Sequence, residues 1–445
     1  MGFIDNVSAL FEKKFSKQIC RDEDSERLVF FEKFKELGLP TIKNEDWKYT
    51  NLAFLNEINF QLSSCTKAID TGLVEKYLSF LNGNDKIVVP YINNSIDESF
   101  VKPLSSFDYK ILRNGSFFAN TKLISKFSNF FDSSNPFNFL TLAFSTDSAY
   151  LNVNNGFENE IPIILFYLYD FEINTLSNTL SFVEVEEDAK INIIAIFINR
   201  SRDKVFANEI INFHLKRNSN VEVNILQFNI DNLVLIDNFN FILESGATLK
   251  INTFSLNNYF VRNNLNVLFN EPYGTAFLNG IYFTADDEFV DNHTLVLHNQ
   301  PNCISDENFR GILDGTGRAV FNGKIYVARD AQKTNAYQSN KNLLLSNDAR
   351  INTRPQLEIY ADDVRCTHGA TAGYLDQEML FYIVSRGISK EKAKSLLLNS
   401  FVSENLEKVE QPDLRNFVKE LVAKKLNLED IFFCSAIDEL TNASL

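Results

Sequence analysis

The sequence predicts a mainly β fold, a parallel β-helix (β-solenoid) core flanked by N-terminal and C-terminal α-helical regions. Three observations carry the expectation. From about residue 145 to 365, apolar residues alternate or run in short stretches, the signature of strands, and helical patterning is nearly absent. Within that stretch, polar corners containing a small residue recur before fresh strands. On either side the period reverts to that of helices. The expected division is 1–145, mostly helical; 146–372, the β-helix core; and 373–445, a C-terminal helical domain.

The strand stretches include TLSFVEVEEDAKINIIAIFI, NVEVNILQFNI, NLVLIDNFNFIL and ATLKINTFSL. They are rich in Val, Ile and Phe, which fit a pleated surface. So long a run of strands without helices excludes a doubly wound α/β fold and leaves a sandwich, a barrel or a solenoid. The corners are EEDAKINI, RNSNVEVN, ESGATLKI, EPYGTAFL, GTGRAVFN and SNDARINT. Taking Ile191, Val221, Leu249, Ala276, Ala319 and Ile351 as first core-facing residues gives intervals of 30, 28, 27, 43 and 32. Such spacing fits stacked rungs with one insertion between Ala276 and Ala319. A single rung cannot bury its inner face, so stacking is obligatory. A jelly roll stays open as the competing arrangement.

Helices are expected at both ends. MGFIDNVSALFEKKFSKQIC places Phe3, Ile4, Val7, Leu10, Phe11 and Phe15 near one helical face. Residues 22–37 carry acids early and lysines late, as the helix dipole favours, and Gly38 and Pro40 stop them. A short helical pattern follows around 70–82. Near the other end Asp376 can cap a helix carrying Met379, Leu380, Ile383 and Val384, ended near Gly387. Ser389 can cap a second, to about Val402, and a third starts near Pro412. The closing SAIDELTNASL is expected to fray.

Composition narrows the partners. The net charge of −15 disfavours nucleic acid and anionic membranes, both polyanions. Cys20, Cys65, Cys303, Cys366 and Cys434 are odd in number, scattered and without a CxxC pair. They read as free thiols in a reducing cytosol, hence a cytoplasmic protein. The N-terminus lacks the apolar core of a signal peptide, and Asn6 breaks a myristoylation pattern. No run of about 18 apolar residues predicts a membrane span. The abundance of Phe and Asn reads as compositional bias.

Common enzyme motifs are missing: GxxxxGK[ST], GxGxxG, GxSxG and HExxH. Gly315, Gly317 and Gly323 in DGTGRAVFNG read as tight rung corners. His214 reads as a sheet histidine. His293 and His298, five apart, fall on opposite faces of a strand, which speaks against a shared metal. The sharpest spot is DDVRCTHG, where Cys366 and His368 share a strand face, about 7 Å apart at Cα. They could hold a metal together, but a tetrahedral site needs about four ligands. The pair is then either a half-site completed by another rung or chain, or a free cysteine beside a surface histidine. A Cys–His nucleophile is a third reading, with Asp362 and Asp363 near in sequence. A carbohydrate-active β-helix enzyme is the alternative function. It would draw on Asp330, Lys333, Arg350 and Arg354.

The segment from Arg310 to Val402 resembles the SufB/SufD family. The stretches are RGILDGTGRAVFNGKIYVARDAQKTNAYQSNKNLLLSNDARINTRPQLEIYADDVRCTHGATAG and LDQEMLFYIVSRGISKEKA, with NEDWKYTNL near the N-terminus. The Cys-x-His-Gly-Ala-Thr element places it nearer the SufD branch. The resemblance implies a right-handed parallel β-helix and a scaffold subunit, not an enzyme, of the SufBCD complex for iron–sulfur cluster assembly. It implies a heterodimer with SufB and docking of the ATPase SufC on the C-terminal helices, at Met379, Leu380, Ile383 and Val384. It carries His368, and with it the neighbouring Cys366, to a cluster-assembly site at the SufB interface. Iron or an iron–sulfur cluster would be held only transiently, with SufB, and by the chain alone not stably. Whether the isolated chain forms a homodimer stays open.

Overall fold

The computed structural model describes residues 2–15, 22–62, 71–81, 86–97, 107–112, 125–126, 135–158, 161–256 and 258–426. Two long sheets face each other across one core. The first holds β1 (Ile87–Ile92), β2 (Ser95–Ile96), β5 (Ile163–Tyr169), β7 (Lys190–Asn199), β9 (Asn220–Gln227), β11 (Thr248–Ser255), β13 (Thr275–Thr284), β15 (Ile304–Leu313), β17 (Asn335–Leu344) and β19 (Arg365–Tyr374). The second holds β3 (Phe107–Leu112), β4 (Ser148–Val153), β6 (Thr175–Val185), β8 (Val205–Leu215), β10 (Ile230–Leu243), β12 (Asn258–Phe269), β14 (Phe289–His298), β16 (Arg318–Val327) and β18 (Arg350–Ile359). From β4 onward the chain alternates between sheets, and each strand pairs in parallel with the one two along. This is a parallel β-solenoid; a jelly roll would pair its strands antiparallel. The first sheet already takes in residues 87–92, from the region expected to be mostly helical.

The rungs turn at corners with a common backbone. Asp188, Asn218, Gly246, Tyr273, Asn302 and Lys333 have φ of 57°, 57°, 71°, 68°, 61° and 59°. Each stands three residues before the first inward residue of its strand: Ile191, Val221, Leu249, Ala276, Ser305 and Ala336. Their N–H groups bond along the stack, as from Asn218 to the Ser245 carbonyl at 3.0 Å and from Asn302 to Gln332 at 2.9 Å. The expected insertion between Ala276 and Ala319 does not exist. Ala319 and Ile351 belong to the second sheet, in register with Val290. The true successor of Ala276 is Ser305. Its corner escaped the pattern because Cys303 fills the place that Ala189, Ser219, Ala247 and Gly274 hold elsewhere. Of the three glycines read as corners, Gly315 (φ 53°) and Gly317 are corners, but Gly323 lies inside β16. A Cβ there would sit 2.3 Å from Gln338 Nε2.

Helices sheathe both outer faces, which is why the early strands read as continuous apolar runs. Helices α1 (Phe3–Phe15), α2 (Asp22–Leu37) and α4 (Pro136–Phe144) cover the second sheet, where Phe3, Phe34 and Phe137 meet Leu176, Phe206 and Val234. The expected face of α1 is buried, except that Ile4 is only half-covered. Helices α3 (Thr71–Tyr77), α6 (Lys390–Leu406) and α7 (Pro412–Lys425) cover the first sheet, with Val74, Leu398 and Phe417 against Ile194, Leu226 and Ile281. Ser389 caps α6 and Pro412 opens α7, as the sequence implied. The closing SAIDELTNASL, expected to fray, and Cys20, Cys65 and Cys434 lie outside the described residues.

The EDWKYT segment is a clamp between the N-terminal region and the coil. The Arg262 guanidinium stacks 3.7 Å from the centre of the Trp47 ring and donates to the Asp46 carbonyl at 2.8 Å. It also pairs with fully buried Asp291 at 2.9 Å, which accepts from the Thr50 hydroxyl at 2.5 Å. Asparagine, read as bias, also has a use: Asn266 donates to Asn240 and Asn240 to Asn212, at 2.8 and 2.9 Å along neighbouring rungs. Such amide rows are available only to in-register parallel strands.

Two outcomes follow for stability. Arg262→Ala leaves buried Asp291 without its cationic partner, with only Thr50 and His293 beside it, and we expect a loss of about 3 kcal/mol in urea unfolding; a loss below about 0.5 kcal/mol would show that the clamp carries no load. Glu209 faces the interior, fully buried, and accepts from the Tyr169 hydroxyl at 2.8 Å. Burial pushes its carboxyl up to about 7. Between about pH 4.5 and 7 the native state therefore holds a proton the unfolded chain has lost, so this group's contribution falls as pH rises, by about 1.4 kcal/mol per pH unit. Glu209→Gln should flatten that part of the stability–pH curve, and an unchanged slope in denaturation at pH 5, 6 and 7 would contradict it.

Candidate functional site

Among the described residues the solenoid ends on an uncovered rung. β18 and β19 are each the last strand of their sheet, with a neighbour on one side only. Alternation along β19 gives Cys366, His368, Ala370 and Ala372 the inward parity, in register with Ala336, Gln338, Asn340 and Asn342 of β17. One rung back those positions are buried, at 0, 3, 0 and 3% exposure. On the last rung Cys366 is half-buried and His368 exposed, because no further rung of the described residues covers them. The floor of the coil is thus on view, with Cys366 and His368 side by side on it, as their spacing required.

Their surroundings separate the readings. Cys366 packs against the main core, and burial raises its thiol, partly offset by the backbone of Ala336. A nucleophilic cysteine needs the opposite shift. Asp362 and Asp363 lie in the exposed corner before β19, where the Asp363 N–H donates to Gln332 Oε1 at 2.9 Å. Among the described residues no group of three or more His, Cys, Asp or Glu could hold a metal. The pair therefore offers two donors, a soft thiol and an imidazole, and two donors suit iron or zinc only if others arrive from outside.

Below His368 runs a feature that sequence reasoning missed. Gln338 and Glu307 occupy the same inward column on the two rungs beneath it. Gln338 Nε2 donates to Glu307 Oε1 at 3.1 Å, and Glu307 Oε2 accepts from the Thr294 hydroxyl at 2.5 Å. Burial pushes the Glu307 carboxyl up to about 7. The signal was present as a spacing: Glu307, Gln338 and His368 follow one another at the interval of one rung.

The other candidates are absorbed by the fold. His293 and His298 point to opposite faces. His298 is buried beside the Phe269 ring, bonds Ser305 Oγ at 2.9 Å, and is pushed down to about 3 by burial. His293 bonds Asp291 at 3.0 Å on the outer face. His214 lies on that face too, buried between Glu184 and Glu244. Cys303 is fully buried, its thiol pushed up to about 11. Asp330 and Lys333 sit in the corner between β16 and β17, Arg350 opens β18, and Arg354 pairs with Glu45.

After β19 comes α5 (Gln377–Ser385), its first turn capped by Asp376, whose carboxylate accepts from the Glu378 and Met379 N–H groups at 2.9 and 3.0 Å. Of the four docking candidates, Leu380 is buried in its own chain, Ile383 is half-buried, and Met379 and Val384 are exposed. Phe381 and Tyr382, which sequence reasoning passed over, are 75 and 54% exposed. The result is an apolar, aromatic ridge beside the open rung.

Comparison with known proteins places the chain in one family. The profile of the SUF system FeS cluster assembly, SufBD core domain, matches residues 171–401, just over half of the chain. The iron–sulfur cluster assembly protein SufD of Escherichia coli is 28% identical over 400 residues, covering 87% of this chain and 90% of that protein. The chloroplastic protein ABCI7 of Arabidopsis thaliana is 27% identical over 439 residues, covering 94% of this chain and 89% of its own. The matched span runs from the early rungs through the Cys366–His368 strand to α5 and most of α6, and the chain belongs to the SufBD family of the SUF iron–sulfur cluster assembly system.

Proposed function

We propose that this chain is a non-catalytic scaffold subunit of a cytoplasmic, ATP-driven iron–sulfur assembly complex, pairing with SufB and docking the ATPase SufC. The observation that carries the reading is the open rung. Two donors, the soft thiol of Cys366 and the imidazole of His368, stand on a coil end that no other described residue covers and whose strands each have a free edge. A second solenoid laid end to end could pair those edges and cover the floor. It would also complete the coordination with ligands of its own. Iron and sulfide are cargo here, built at the junction and shielded there from water. The ridge of Met379, Phe381, Tyr382 and Val384, directly after the open rung, supports the ATPase dock: apolar, aromatic surface of this kind marks a protein partner. Motor movement at that ridge would be transmitted to the rung over a few residues, which gives ATP turnover a route to open or close the junction.

Coexpression with SufB and SufC, followed by copurification and metal analysis, tests the whole reading. His368→Ala should leave fold and complex intact, since the side chain is exposed at the coil end, yet lower cluster content and fail to complement a strain lacking the native protein. Cys366→Ser should have an equal or smaller effect. Cluster assembly by His368→Ala at the wild-type rate would sink the site. Phe381→Asp should abolish SufC capture in a pull-down while SufB still copurifies; undiminished SufC capture would move the dock elsewhere.

A further inference from the structure

The column beneath His368 changes character as it nears the open end. Its earlier members are Val223, Ile251 and Leu278, all fully buried; its last three are Glu307, Gln338 and His368. Rungs are about 4.8 Å apart, so each of these side chains can reach the next. Gln338 extends across the coil to Gly323, a position where any Cβ would collide with its amide. Its Nε2 is committed to Glu307, on the rung behind, and Glu307 is itself held by Thr294 from the opposite sheet. Among the described residues, Gln338 Oε1 is buried and has no hydrogen-bond partner. An amide directs its nitrogen and oxygen apart. With the nitrogen turned to the rung behind, the oxygen is left for the rung ahead, where the residue in register is His368. A buried acceptor without a donor costs about 1–3 kcal/mol, a cost that an imidazole N–H would remove.

We propose that Gln338, anchored by Glu307, is a positioning residue for His368: its Oε1 accepts one imidazole N–H, fixes the ring's tautomer and orientation, and leaves the other ring nitrogen free at the open end. Histidines that ligate metals are commonly held this way, by a carbonyl or carboxylate on the nitrogen away from the metal. The hydrogen bond is inferred from the register of Gln338 with His368 and from the unpartnered Oε1; its use in holding iron rests on the function proposed above. Gly323 then has a purpose as well, since it keeps the path of the Gln338 side chain open.

The test is nuclear magnetic resonance of the full chain labelled with 15N-histidine. There are four histidines, and His368→Ala assigns the signal in question. With the ring neutral, wild-type His368 should hold one tautomer in clear excess. Gln338→Leu should return it to the mixture of a free imidazole. Glu307→Gln, which loosens the anchor at constant shape, should shift it part of the way and serves alone if leucine at 338 prevents folding. In the complex with SufB, cobalt(II) affinity should fall about 10- to 100-fold in Gln338→Leu. A tautomer balance that is the same in wild type and in the folded variants overturns the inference. That outcome differs from full cluster assembly by His368→Ala, which would overturn the proposed function instead.

Discussion

Everything in this molecule depends on parallel strands stacking in register, so that a residue's neighbours are the residues one rung before and after it. The backbone bonds are the same on every rung; the side chains decide what each rung can do. Where like sits on like the column stabilises itself. Tyr91, Tyr167 and Phe197 stack at 4.6 Å between successive centres, and the asparagine rows donate amide to amide. Where unlike residues stack, the column becomes a polar relay, as with Glu307 and Gln338.

A stacked coil has two ends, and this chain treats them differently. At the first end the order breaks into antiparallel pairs, β1 with β2 and β3 with β4. Antiparallel strands cannot extend the coil, so they close it. At the other end β18 and β19 simply stop, and the chain leaves through Asp376 into α5. The inner parity that buries Gln338 and Asn340 therefore exposes His368. The same alternation that makes a core elsewhere makes a surface here, and its chemistry follows from which rung is last.

The interior is more polar than a small core would tolerate. Glu209, Asp237 and Glu307 are all fully buried, and burial raises each carboxyl. They persist because partners on the facing sheet or adjacent rungs meet them: Tyr169 for Glu209, Gln227 for Asp237, Thr294 for Glu307. Two sheets held at a fixed separation let such groups be placed without reorganising their surroundings, which keeps the cost of burying them bounded.

Local signals in the sequence were enough for the elements. Period two over 145–365, the caps at Asp376 and Ser389, Pro412 at a helix start, and the shared face of Cys366 and His368 all depend on residues within a few positions of one another. Periodicity says which face a residue lies on, not in which sheet the strand lies. That is why Ala319 was placed in the wrong stack and a false insertion appeared before it. Tertiary structure alone decided that β19 is the last rung and that Leu380 turns inward while Phe381 faces solvent, and it was needed to place Gln338 and Glu307, one-rung spaced in sequence, beneath His368. Those facts join residues about one rung apart in sequence but neighbouring in space, and only the register of the stacked strands makes that connection.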